Sequence, residues 1–508
     1  MPARGIEKIT EVNAGHVSIG HDILGLISSA MYVEPLTIYR ELIQNAADAV
    51  DDAVERGLLR RAEGVVHLKI DPMHRQVVVR DNGSGVPNAT FAETMCAIGA
   101  SPKRGEKARG FRGIGRLVGL GYAQELVFRS RSARSERVME ATWDCRLLKQ
   151  LLRDRVRAPL AEVVAAVVGI VERSATAEEP DHFFEVELRK VARLASDGLL
   201  DAAMVTRYLS EVAPVPFSPD FDFGEEIAER LESFAAFPTI KAYVNGSAEY
   251  IARPYHNEYP LSASKAAAVD GFRFLEVPAH DGDRVAAVAW IGTHQYLGAF
   301  PRRLGVRGLR ARVGNLQIGD DRVFAAAFPE ERFSDWCIGE VYILDERIVP
   351  NGRRDDFEPN LHFANLVNHI AVVGRDVAKA ARTSSAERRN QRGLTSIETF
   401  LRDYRKLLKK SPEAFELRDD VIADVRENIE KARRRAIGYD RKRWEAQIAA
   451  VERAVNALET LERPLGRKPN KREMGHLDVL HLLRTHVPGG LSASVQLLAL
   501  IAHDESLH

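Results

Sequence analysis

The stretch Glu41-Leu42-Ile43-Gln44-Asn45-Ala46-Ala47-Asp48-Ala49 limits what this chain can become more than any other. At about 100° per residue on an α-helix, positions 41, 45 and 48 fall within roughly a 60° arc. Leu42, Ile43, Ala46, Ala47 and Val50 surround that arc with apolar or small groups. One polar stripe of Glu, Asn and Asp therefore looks out of a helix that is otherwise core. Burying a carboxylate and an amide without partners is costly, so the stripe faces a ligand, a metal or water. A merely solvated stripe on an amphipathic helix is the plainer alternative. Two later stretches bear on the choice.

At 508 residues and 45% hydrophobic, the chain can bury full cores, and its length suggests about three domains. Lys+Arg and Asp+Glu balance at 72 each, so only the distribution of charge can speak about nucleic acid. Cys96, Cys145 and Cys337 stand far apart with no metal-type spacing, which excludes a disulfide framework and suits a reducing compartment. The first residues show no apolar signal region, and no run of 18 apolar residues occurs. The expectation is a soluble cytoplasmic protein with no membrane contact.

Residues 17–34 read as a short strand and a helix with Ile23, Leu24, Ile27 and Met31 on its apolar face. Pro35 sits where a first helical turn tolerates it. The polar-striped helix then runs to about Arg56, with Gly57 as its stop. Val65–Ile70 and Gln76–Arg80 are β-branched runs joined by Asp71-Pro72-Met73-His74-Arg75, a hairpin pattern. The second run leads into Asp81-Asn82-Gly83-Ser84-Gly85. An Asp at a strand end can reach into a pocket, where it suits an exocyclic amino donor, while glycines let backbone pass close to a ligand. Alone, this could equally be a plain turn.

Next, Ile98 to Arg116 holds Ser101, Lys103, Arg104 and Lys107, then Gly110, Gly113 and Gly115, just before an apolar helix from Leu117 to Tyr122. Glycines that free amides at a helix N-terminus make an anion site, usually for phosphate. The order Gly-x-x-Gly-x-Gly is not the Rossmann one, and no P-loop pattern occurs.

Together and in this order, the three stretches resemble the GHKL ATP-binding (Bergerat) fold of gyrase B, HtpG-type chaperones, histidine kinases and MutL. The likeness is good over roughly residues 17–125 and weaker to about 220; residues 41–49 stand near the chaperone and MutL form. The resemblance implies an α+β chain: a Bergerat-fold α/β sandwich whose mixed sheet is covered by helices on one face, a transducer-type α+β domain, and a helical C-terminal region. The expected spans are 1–235, then 236–360 and 361–508; about 146–171 reads as a helical insert beyond what the minimal fold needs.

It also implies ATP and Mg²⁺ as ligands. Asn45 would offer a hard amide oxygen to the metal, and Glu41 would act as general base for the attacking water. Asp48 would support the site's edge and Asp81 would accept the adenine amino group. Gly83 and Gly85 would shape the adenine pocket. Gly110, Gly113 and Gly115 would hold phosphates, with Ser101 and Lys103 as donors on the lid. One departure is visible: the family's Gly-Thr strand aligns with His182–Val186, which has no Thr. Either the alignment slips there or a water takes that role. Pro214-Val215-Pro216-Phe217 marks an exit from the domain.

From Pro238 to Phe357 the period is mostly two, in Thr239–Val244, Val285–Ile291 and Glu340–Leu344. Gly305–Arg310 and Val313-Gly314-Asn315 resemble the transducer's strand-turn-strand centre. Asn351 and Arg354 fit the chaperones' Asn-x-x-Arg loop, whose arginine reaches the γ-phosphate, though Arg353 competes for that role and a surface turn is the plainer reading.

Residues 361–508 read mainly as helices, with a hairpin or coiled coil over 396–462. Their 27 Lys+Arg against 20 Asp+Glu give 27 − 20 = +7. Clusters at 402–410, 431–443 and 467–472, near Tyr404, Tyr439 and Trp444, could track a phosphate backbone or could be solvated, ion-paired helix faces. The apolar helix Leu491–Ala502 is a candidate dimer face.

The leading expectation is thus an HtpG-related, chaperone-like homodimeric clamp that hydrolyses ATP. Its client would be protein or, as in MutL- and MORC-like ATPases, nucleic acid. A nucleotide switch with little turnover is the further alternative. A sensor kinase is disfavoured because His16 and His21 lie too near the ATP box.

Overall fold

The computed structural model describes residues 35–97, 115–153, 160–193, 196–282, 284–409, 412–434 and 441–462. The strand and helix expected at 17–34, the lid at 98–114, the basic run at 467–472 and the helix at 491–502 lie outside them. The chain divides into two compact units, Met1–Ala378 and Lys379–His508.

The first unit holds two sheets. The first has the order β5-β4-β3-β6-β2-β1-β7. Its strands are β1 (Val65–Asp71), β2 (Gln76–Asp81), β3 (Glu125–Arg131), β4 (Arg137–Asp144), β5 (Val168–Ser174), β6 (Phe183–Arg189) and β7 (Lys241–Val244). All neighbours are antiparallel except β1 and β7. The sheet is therefore mixed. Helices α1 (Thr37–Glu55), α2 (Asn88–Cys96), α3 (Cys145–Arg153), α4 (Leu160–Val167) and α5 (Ala202–Val212) contribute to its core.

Helix α1 forms where its pattern places it. Leu42, Ile43, Ala46, Ala47 and Val50 are buried against Val66, Leu68, Val77 and Val79 of β1 and β2. It stops at Gly57, whose φ of 71° closes the last turn. In the β1–β2 hairpin, the Asp71 carboxylate accepts from the amides of Met73 and His74, both at 3.0 Å. The opposite face of the sheet carries charges instead of a second core. Arg129 pairs with Glu140, Glu185 and Glu187, and Arg80 with Glu185.

Three expectations change. Residues 168–171, read as the end of a helical insert, belong to edge strand β5, because they pair with β4. The helix expected at Leu117–Tyr122 is 3-10, over Gly115–Gly121. The strand read at Thr239–Val244 as part of the second sheet is β7, which pairs with β1 in the first. Periodicity of two identifies a strand but not the sheet that receives it.

The second sheet has the order β12-β11-β13-β10-β9-β8. It comprises β8 (Glu258–Ser262), β9 (Lys265–Pro278), β10 (Val285–His294), β11 (Gly308–Val313), β12 (Leu316–Ile318) and β13 (Ile338–Ile343). Gly314 and Asn315, with φ of 54° and 67°, make the two-residue turn between β11 and β12. Helix α6 (Gly224–Glu232) packs Ile227 and Leu231 on this sheet with Tyr255, Trp290 and Tyr342. The chain thus passes from α5 to the second sheet's core, back to β7, and out again to β8.

Where the two sheets meet lies a fully buried ionic cluster. The Glu340 carboxylate accepts from Arg253 at 2.6 Å, Arg312 at 2.5 Å, the Tyr342 hydroxyl at 2.6 Å and the Trp290 indole at 3.2 Å. The arginines also donate to main-chain oxygens of the linking segments: Arg253 to Val215 at 2.9 Å and Arg312 to Glu211 at 2.9 Å. Asn315 donates to Phe237 and Pro238.

The second unit is helical. Its core joins the end of α7 (Leu361–Leu408), α8 (Arg418–Arg434) and α9 (Arg441–Glu459) through residues such as Leu401, Leu408, Val425, Ile429, Val451 and Leu458. Ion pairs Arg426–Glu459 and Arg433–Glu452 show that α8 and α9 run antiparallel, since one number falls as the other rises. Tyr404, expected beside a basic cluster, is buried and donates to the Ala414 oxygen at 2.6 Å, so its ring is committed to the core.

Burial opposes the charge on Glu340, but Arg253 and Arg312 outweigh it and hold the carboxyl down at about 2. With the folded value below the unfolded one of about 4.3, this stabilisation is complete above the unfolded value and is lost as pH falls through the folded one. Glu340→Gln should therefore cost about 3–5 kcal/mol at neutral pH, read from urea midpoints, by leaving two buried guanidinium groups short of an anion. It should also flatten the stability loss between roughly pH 4 and 2.

Candidate functional site

The polar stripe of α1 is held where the first sheet's loops converge. Glu41 is 7% exposed and Asp48 8%, while Asn45 between them is half-buried. The Asn45 side-chain amide makes no hydrogen bond among the described residues, so its oxygen could serve a hard cation.

Asp81 ends β2 at 4% exposure, with its carboxylate accepting from the Gly83 amide at 2.9 Å. It lies on the helix-covered face with Val77 and Val79, because strand residues alternate. The groove on the other face, lined by Lys69, Arg80, Arg129, Glu185 and Glu187, is separate from it, and its arginines are engaged by its glutamates.

After Asp81 the chain turns directly onto α1. The Ser84 amide donates to the Ala49 oxygen at 3.1 Å. A Cβ on Gly83 would stand 2.6 Å from the Ala49 carbonyl carbon, so only glycine lets the loop approach this closely. Gly85 has φ of 67°, and a Cβ there would be 2.2 Å from the Arg131 oxygen. The Ser130 hydroxyl accepts from the Val86 amide at 2.7 Å, and the His182 ring bonds the Gly83 oxygen at 2.8 Å. The loop that follows Asp81 is thereby fixed against Ala49, one helical turn beyond Asn45.

Phe184 on β6 lies directly across from Asp81. The register therefore puts the expected strand beside Asp81, with the half-buried Phe184 ring on the same face. Such a ring can cover a planar base.

The second sheet adds one group. After β13, residues 349–357 form a loop closed by a bridge between Pro350 and Phe357. Its Arg354 guanidinium hydrogen-bonds the Gln44 side-chain oxygen and stands 3.5 Å from the Glu41 carboxylate. The Arg40 guanidinium donates to the main-chain oxygens of Arg353 at 3.1 Å and Arg354 at 3.3 Å. Arg353 is exposed. Asn351 turns inward on its own loop, donating to Asp355 at 2.7 Å and accepting from the Arg353 amide at 3.2 Å.

Of the residues singled out from sequence, Glu41, Asn45, Asp48, Asp81, Gly83, Gly85 and Arg354 are thus brought to one region. Gly115 opens the 3-10 turn, and Ser101, Lys103, Gly110 and Gly113 lie outside the described residues. Arg40, Gln44 and Ser130 carried no motif signal, and His182 and Phe184 stood out only as part of the strand aligned with the family's Gly-Thr strand. Gln44 alone could have been found, since three residues after Glu41 it shares that residue's side of the helix.

A helix bearing Glu, Asn and Asp against a strand ending in Asp-x-Gly-x-Gly, on one face of a mixed sheet, defines a Bergerat-type nucleotide-binding domain. Residues 35–168 match the family of histidine kinase-, DNA gyrase B-, and HSP90-like ATPases, and this part of the chain belongs to that superfamily. The domain is of the ATP-binding kind. No curated protein matches the chain. Among the described residues no helix is long and apolar enough to cross a membrane.

Gly83→Ala should push the loop off α1 and cost about 1–3 kcal/mol by overpacking, read from thermal or urea unfolding. Unchanged stability would show that the loop can retreat from α1 without loss.

Proposed function

We propose that the chain is a Mg²⁺-dependent ATPase in which Glu41 is the general base and Arg354 stabilises the terminal phosphate. The observation that carries this reading is the meeting of Arg354, from the second sheet's loop, with the helix that bears Glu41 and Asn45. A carboxylate, a metal-type amide and a guanidinium on one helix face are the groups that phosphoryl transfer to water requires.

In this reading Asp81 accepts the adenine amino hydrogen, and Phe184 covers the base. Gly83 and Gly85 give the base its close approach, and Asp48 supports the edge. Gly110, Gly113 and Gly115 would hold the phosphates, with Ser101 and Lys103 as added donors. Asn45 would hold a magnesium ion, which would supply charge neutralisation at the phosphates. Glu41 takes a proton as the water oxygen bonds the γ-phosphorus and the bond to the bridging oxygen breaks, releasing ADP. Arg354 meets the charge that gathers on the transferred group.

We further place the chain as a chaperone-like homodimeric clamp of the cytoplasm, on the likeness of residues 41–49 to the HtpG-type and MutL boxes. Three free cysteines suit that compartment. A protein client is favoured over nucleic acid because Arg426, Lys431 and Arg433 of the helical unit are paired with acids.

Single-turnover phosphate release with the full chain tests the assignment. Glu41→Ala should keep ATP binding and lose hydrolysis by about 100-fold or more. Arg354→Ala should bind near normally and hydrolyse at least about tenfold more slowly. Asn45→Ala should lose magnesium-dependent binding; tight binding retained there would remove Asn45 as the metal ligand. An unchanged rate in Arg354→Ala would remove that residue from the site. Stimulation of turnover by unfolded protein, and not by DNA or RNA, is the outcome expected for the client.

A further inference from the structure

We infer that Gln44 is a positioning residue that aims Arg354, an inference that rests on the ATPase reading above. Gln44 is 1% exposed, and its side-chain oxygen takes a hydrogen bond from Nη1 of Arg354. A guanidinium has only donors, so this contact fixes the amide: the oxygen must face Arg354 and the NH₂ must face away. That NH₂ has no hydrogen-bond partner among the described residues. A buried donor left unpaired costs about 1–3 kcal/mol, so the orientation is retained against a penalty.

The choice of partner matters chemically. Glu41 stands 3.5 Å from the same nitrogen and would neutralise the guanidinium if it held it alone. A neutral amide fixes the arginine's geometry while adding no negative charge of its own, so it leaves more of the guanidinium's charge for a phosphate than a second carboxylate would. The loop needs such a hold. Arg354 is a non-glycine residue at φ of 58°, a conformation that persists only when surrounding contacts impose it. Arg40 fixes the loop's main chain through the oxygens of residues 353 and 354. Gln44 fixes the side chain. The free NH₂ is a donor in reserve for an acceptor that arrives with the nucleotide.

Gln44→Met keeps the length and removes the strong acceptor. In the full chain it should bind Mg·ATP within about threefold of wild type and hydrolyse it about tenfold more slowly or worse, as misplacement of a single group does. If Gln44 acts through Arg354, adding Gln44→Met to Arg354→Ala should slow hydrolysis no further than about twofold. Without nucleotide, amide hydrogen exchange across residues 349–357 should quicken in Gln44→Met.

Gln44→Asn, one methylene short, should repeat the pattern and stands in if the Met variant does not fold. A wild-type rate in Gln44→Met, unaltered exchange of the loop, or losses that multiply in the Arg354→Ala background would each overturn the inference. A wild-type chain that binds ATP and releases no phosphate would end the ATPase reading instead. Loop exchange would still decide whether Gln44 holds Arg354.

Discussion

A guanidinium carried by the loop after β13 rests against the carboxylate and amide of a helix that packs on the other sheet. Arg354 with Glu41 and Gln44 is the contact on which the rest of the arrangement depends. It joins residues more than 300 positions apart, and neither sheet alone contains the set of groups that the ATPase reading requires. A shift of about 1 Å between the sheets would break it.

The architecture fixes that distance in two ways. First, the chain crosses repeatedly: α5 belongs to the first sheet, α6 to the core of the second, β7 to the first again and β8 to the second. Second, Glu340 with Arg253 and Arg312 is buried, and the arginines also hold the crossing segments by their carbonyls. A buried ionic cluster is poor value as stability, because desolvation consumes much of the Coulombic gain. Its directionality is what an apolar core lacks. Four hydrogen bonds converging on one carboxylate define a single alignment of strands and linkers.

Much of this was legible in the residues because local rules govern it. The stripe of α1 follows from helical period and the β1–β2 hairpin from two β-branched runs, while the turn at Gly314-Asn315 was expected from the resemblance to the transducer. Asp81 was legible as a strand-end carboxylate. What escaped was non-local. Strands β3 and β4 carry Arg129 and Glu140 on a face where ion pairs replace a core, so their charge hides their period. The strand at 241–244 was visible, but its partner β1 lies far back in the chain. Gln44 reads as one more polar residue of a helix until Arg354, 310 residues later, supplies its purpose. Phe184 became informative only when register placed it opposite Asp81.

The central claim is that the stripe of α1 and the carboxylate ending β2 face the same bound nucleotide. Calorimetric titration of Mg·ATP into the wild-type chain and into Asp81→Asn tests it most directly. The account predicts saturable heat at one nucleotide per chain for wild type, and loss of that heat in Asp81→Asn with the unfolding midpoint little changed. No heat in the wild type, or equal affinity in the variant, would contradict it.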